Sequence, residues 1–99
     1  MGAESVVLSL ASRGAIGVNS ESLWEAIPPR IDAISPIGAG DALAAALLWS
    51  LEQGHAFEEA LRWGVAAGSA STKLPGMNFA SLEQTREMHD EISLRQVHV

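Results

Sequence analysis

Residues 35–43 read Ser35-Pro36-Ile37-Gly38-Ala39-Gly40-Asp41-Ala42-Leu43, SPIGAGDAL, and they divide the chain into two textures. Before them, short apolar runs alternate with polar turns. After them comes a long run of Ala and Leu at helical spacing, so the stretch marks a passage from strands to helices and predicts an α/β chain. The glycines at 38 and 40 expose successive backbone N–H groups where a helix begins, and a helix N-terminus already favours anions through unpaired donors and its dipole. Asp41 has two readings. As an acid in the first helical turn it contributes about 0.5–2 kcal/mol as a cap or dipole partner. As a general base it would take a proton from a substrate hydroxyl while the Gly38–Gly40 amides hold a phosphoryl group. The loop is too short for a Walker A sequence, lacks its lysine, and is not GxGxxG.

Working upstream, Val6-Val7-Leu8-Ser9-Leu10 reads as a buried strand, Ala11–Gly14 as a turn, Ala15–Asn19 as a second strand and Ser22–Ile27 as a third. The short turns predict antiparallel neighbours. Pro28-Pro29 stops regular pairing, and Ile31–Ile34 reads as a further brief extended piece.

Downstream, a first helix is expected from Gly40 or Asp41 to about Gln53, with Leu43, Leu47 and Leu51 as its apolar stripe and Ala44 and Leu48 beside it. Gly54 is its C′ residue. A second helix runs from Phe57 to about Lys73, where the small residues Ala60, Gly64, Ala67 and Gly68 allow close approach of another element. A third is expected from Ser81, with Gln84 completing a capping box, and fades near Leu94. The order is therefore three strands, a loop, then three helices. Two of those helices are apolar on broad faces, which suggests packing against more sheet than these residues supply.

The 99 residues carry a formal net charge of −6, 47% hydrophobic residues and no cysteine. That excludes a disulfide framework and a thiolate metal site, and argues against nucleic acid or an anionic membrane as partner. No apolar run approaches the ~20 residues that span a bilayer, and MGAESVVLSL lacks the basic segment of a secretory signal. A cytoplasmic location is expected. His55, His89 and His98 have no metal-ligand spacing. Trp49 and Trp63 read as packing residues, Trp24 as core or dimer surface, and Glu58-Glu59 as a match to the helix dipole.

The strings VVLSLASRGAIGVNSE, PPRIDAISPIGAGDALAAALLWSLEQG and FEEALRWGVAAGSAS, with the Pro75-Gly76 turn after them, resemble the C-terminal third of the ribokinase-like (PfkB) carbohydrate kinases. The resemblance covers about residues 5–95. GVNSE and RWGVAAGSAST bring it nearest to the group holding the minor 6-phosphofructokinases, the 1-phosphofructokinases and the tagatose-6-phosphate kinases. It implies the C-terminal part of a three-layer αβα fold, with residues 1–99 a partial kinase domain lacking its N-terminal part and lid. It implies ATP-dependent phosphorylation of a sugar phosphate hydroxyl, with Mg²⁺ and in some members K⁺, and a parent family that is often homodimeric. Asp41 then matches the catalytic base, and Gly38, Ala39 and Gly40 the anion hole. Ser9, Leu10, Ala11, Ser12, Arg13 and Gly14 match a loop along ATP, and Val65 and Ser69 the adenine and ribose side. Backbone carbonyls near Ser35, Ile37, Ser71 and Gly76 match a monovalent-cation site.

The sequence departs from the family pattern at Pro36, Ala11 and Ala42, where Thr, Gly and Ser or Thr are usual. Nothing in it matches the family's N-terminal glycine motif, sugar-binding lid or Asn-x-x-Glu segment. Its cations, Arg13, Arg30, Arg62, Lys73, Arg86 and Arg95, are scattered, whereas ATP and a sugar phosphate together call for Lys, Arg and Mg²⁺. The expectation is a chain incomplete as a kinase. The alternative is a non-catalytic fragment that binds nucleotide or a partner.

Overall fold

The computed structural model describes residues 5–10, 13–19, 22–31, 34, 38–75 and 79–97. Of the residues singled out above, Ala11, Ser12, Ser35, Ile37 and Gly76 lie outside that set, as do Asp32, Ala33, Pro36 and His98. The elements follow in the order β1 (Val6–Ser9), β2 (Ala15–Val18), β3 (Leu23–Ile27), α1 (Ala39–Glu52), α2 (Phe57–Thr72), α3 (Leu82–His89) and β4 (Ser93–Val97).

The strands form one antiparallel sheet in the order β1-β2-β3-β4. The antiparallel meander is as the short turns require. The fourth strand is a correction to the expected order: α3 stops at His89, and the segment given to its fading end is β4, which pairs with β3 from Leu23↔Val97 to Ile27↔Ser93. The physical reason is periodicity. Ile92 and Leu94 alternate with Ser93 and Arg95 at the strand period of two, and the Asp90–Glu91 turn redirects the chain onto the open edge of β3.

Register places Ala15, Gly17, Trp24, Ala26 and Leu94 on one face. There α2 packs, with Phe57 and Leu61 directly over Gly17. Leu61 is fully buried, and the core around it comprises Ala15, Ala26, Val65, Ala66, Ala70, Met88 and Ile92. The opposite face leaves Val6, Leu8, Val18 and Ile27 exposed. This open face and the outer side of α1 are where the apolar surplus lies. Of the stripe expected on α1, Leu43 and Leu47 pack against the core, whereas Leu48 and Leu51 are exposed. Trp24 packs against the core as well.

Ser81 caps α3: its hydroxyl accepts the Gln84 N–H at 3.1 Å, and the Gln84 side chain accepts the Ser81 N–H at 2.8 Å. Such a cap is worth about 1 kcal/mol. Gly54 follows α1 with φ +87°, as expected of a C′ residue.

Candidate active site

Helix α1 begins one residue earlier than its hydropathy suggests, because Gly38 is its N-cap in a left-handed conformation, φ 85° and ψ −4°. A side chain there would be strained, so glycine at 38 is required by the backbone. The first helical hydrogen bond runs from the Ala42 N–H to the Gly38 carbonyl at 3.0 Å. The N–H groups of Ala39, Gly40 and Asp41 precede it and have no acceptor within the helix. Among the described residues no side chain caps them. Three donors thus converge on the positive end of a 14-residue helix.

Gly40 differs from Gly38. It is helical and exposed, and a Cβ there would meet no atom within 4 Å. Neither conformation nor packing demands glycine at 40; its absent side chain leaves room above the donors. Asp41 is exposed one residue further on. Among the described residues its carboxylate takes no part in any ion pair. Its exposure leaves it open to an external hydroxyl.

The turn after β1 forms a second cluster. The Leu10 N–H donates to the Gly14 carbonyl at 2.7 Å and the Arg13 N–H to the Leu10 carbonyl at 3.1 Å. Ser9 and Arg13 are exposed. Gly14 has a structural reason of its own: φ is +99°, and a Cβ would fall 2.0 Å from the Ala26 carbonyl oxygen. Val65 is only 2% exposed and belongs to the core, so it presents no side-chain surface, while Ser69 is half-buried. The Ser71 carbonyl accepts the Leu74 N–H at 3.1 Å, which leaves one lone pair for another partner. The two clusters are joined through α2, since Ala15 and Val65 share the core and Gly68 lies against Ala39.

Sequence reading did not assemble one side-chain group. His89 stacks on Trp63 with centroids 4.2 Å apart, Trp63 meets Trp49 edge-on at 5.3 Å, and His89 Nε2 lies 2.5 Å from Glu59 Oε2. Arg62 donates to the His89 carbonyl at 3.0 Å. Glu59 is therefore a cross-helix partner as well as a first-turn acid. Arg62 and Arg95 are engaged, Arg95 with Glu25 at 2.6 Å, and neither is a spare cation for phosphate. His55 is exposed, and its Nδ1 lies 2.7 Å from the Ser50 hydroxyl. Among the described residues no group of three or more carboxylate or histidine side chains converges as a metal site, and no helix is long and apolar enough to cross a membrane.

Fold and turn together describe an α/β domain that presents bare main-chain donors beside one exposed carboxylate. Residues 1–85 match the profile of the pfkB family of carbohydrate kinases. Similar proteins include the ATP-dependent 6-phosphofructokinase isozyme 2 of Escherichia coli K12, 38% identical over 91 residues, an alignment spanning 92% of this chain and 29% of that protein. The 1-phosphofructokinase of Borreliella burgdorferi is 31% identical over 98 residues, spanning 98% of this chain and 31% of that one. In three dimensions the crystal structure of E. coli phosphofructokinase-2 in complex with potassium superposes with a TM-score of 0.84 at 38% identity, covering 87% of this chain and 28% of that one. The chain belongs to the pfkB family of carbohydrate kinases, and its fold is the ribokinase-like one. It spans less than a third of the length of these relatives.

Proposed function

We propose that these residues form the C-terminal part of a kinase domain that transfers the γ-phosphoryl group of ATP to a hydroxyl of a sugar phosphate, in the manner of a 6-phosphofructokinase. One observation carries the reading. The Ala39, Gly40 and Asp41 amides have no helical acceptor and no side-chain cap among the described residues, and an exposed carboxylate stands in the same turn. In the proposed step the sugar hydroxyl oxygen bonds to the γ-phosphorus as the bond from that phosphorus to the bridging oxygen of ADP breaks. Asp41 accepts the hydroxyl proton. The amides, with Gly38 shaping their turn, stabilise negative charge on the transferring oxygens. Asp41 needs no ion pair for this, because its task is to accept a proton as charge moves.

The turn between Ser9 and Gly14 and the side of α2 at Ser69 are assigned to the nucleotide, with Val65 as packing behind that surface. A monovalent cation, bound by the Ser71 carbonyl together with those of Ser35, Ile37 and Gly76, would order the anion-binding turn. Mg²⁺, which is held by one or two carboxylates together with phosphate oxygens and water, would arrive with the nucleotide and neutralise phosphate charge, and Asp41 is the exposed carboxylate of this turn. We place the activity in the cytoplasm, where both substrates occur.

Gly40→Ala separates this reading from a purely structural one. The helical, unobstructed position predicts that the variant is more stable by up to about 1 kcal/mol. The methyl would nonetheless stand over the donors, and ATP affinity measured by calorimetry is expected to fall about tenfold or more. Unchanged affinity would remove phosphate from the turn.

A second reading has its own support in the open sheet face. With Val6 62% and Leu8 58% exposed, the chain could serve as a nucleotide-binding module completed by a partner. ATP binding without phosphorylation of fructose 6-phosphate by the 99-residue chain favours this second reading over self-sufficient catalysis.

A further inference from the structure

We infer that Gly68 is a positioning residue for the anion-binding turn, an inference that rests on the proposed role of that turn and goes on to say what sets its geometry. A Cβ on Gly68 would lie 3.0 Å from the carbonyl oxygen of Ala39, and a Cβ on Gly64, one turn earlier in α2, 3.0 Å from the carbonyl oxygen of Leu43. The first turns of α1 therefore rest with their carbonyls directly on two glycines. The Ala39 carbonyl belongs to the same peptide unit as the Gly40 N–H, and a peptide unit is rigid. Whatever moves that oxygen re-aims one of the three donors.

The same end of α2 also holds the chain that leads into the turn and a second segment that packs on it. The Ile34 N–H donates to the Thr72 carbonyl at 2.7 Å. The Ala80 N–H donates at 3.0 Å to the hydroxyl of Ser71, which is only 2% exposed. Phe79, beside Ala80, lies against Gly38, where a Cβ would be 3.3 Å from its ring. Gly68 thus supports the turn from below, Thr72 holds the chain leading into it, and Ser71 holds the Phe79–Ala80 segment that packs on Gly38. The contact at Gly68 is with backbone, which cannot rotate aside, so a methyl there forces a shift of a few tenths of an ångström.

The test uses the ¹⁵N-labelled 99-residue chain, with MgATP as the probe. In Gly68→Ala the Gly40 and Asp41 amide resonances are expected to move before any ligand is added, and MgATP affinity to fall about tenfold. Ala60→Gly, which loosens α2 more than one turn away, should leave those resonances in place. Ser71→Ala should move Gly38, with Ser71→Thr restoring it, and this pair serves should Gly68→Ala not fold. Unmoved Gly40 and Asp41 amides in Gly68→Ala, or equal movement in Ala60→Gly, overturn the inference. Should the amides move as described while the unsubstituted chain binds no MgATP, positioning stands and the kinase reading falls.

Discussion

Asp41→Asn lowers turnover by about 10²–10⁴-fold, the range over which a positioned general base contributes. The assay requires a complete kinase, so the chain is best placed in E. coli 6-phosphofructokinase isozyme 2 in exchange for the 29% that it matches. The magnitude decides between the two readings of this residue. An acid serving only the helix dipole is worth about 0.3–1 kcal/mol of stability and has no reason to affect chemistry. Asn keeps the size and polarity of Asp but cannot accept the proton, so kcat falls while the KM for ATP stays nearly constant. Loss of a few tenths of a kcal/mol in stability with kcat unchanged would return Asp41 to the dipole role.

Gly14→Ala is expected to leave the chain unfolded at 25 °C, or destabilised by more than about 4 kcal/mol. Two costs add. A side chain at φ +99° is strained by about 1–2 kcal/mol. Its Cβ would also sit 2.0 Å from the Ala26 carbonyl oxygen and 2.9 Å from Pro28 Cδ, a far closer approach than any Cβ makes. Relief demands movement of β2 against β3, where Ala15 and Ala26 are paired and fully buried. A domain holds only about 5–15 kcal/mol in total. Circular dichroism and a urea melt read the outcome, and a midpoint near that of the unsubstituted chain would contradict the argument. Gly14 thus has a reason to be glycine that lies in the sheet and not in any nucleotide.

That contrast shows where the sequence was legible. The turn at Gly38–Asp41, the strands up to Ile27, the helices α1 and α2 and the Ser81–Gln84 box all rest on local signals: spacing, caps and backbone freedom. Each stands in the structure within one or two residues, although β1, expected to be buried, is exposed at three of its four residues because its outer face is open. The fourth strand was not found because its partner, β3, lies about 70 positions back, as the Arg95–Glu25 pairing illustrates. Its alternation covers only Ile92 to Arg95, too short a run to separate a strand from the tail of a helix. The Glu59–His89–Trp63 group escaped for the same reason, since it exists only once α2 and α3 are packed together. Gly68 looked like a helix-packing residue, and it is one; only coordinates reveal that it packs against the peptide carrying a proposed phosphate donor.

The central claim is that the open end of α1 receives a phosphate. Titrating the ¹⁵N-labelled chain with MgATP and following every amide tests it most directly. The account predicts that the largest shifts fall on Ala39, Gly40 and Asp41, saturate with a single affinity and vanish when excess salt competes for the site. Saturable binding that leaves those three amides still and perturbs other parts of the chain would contradict it.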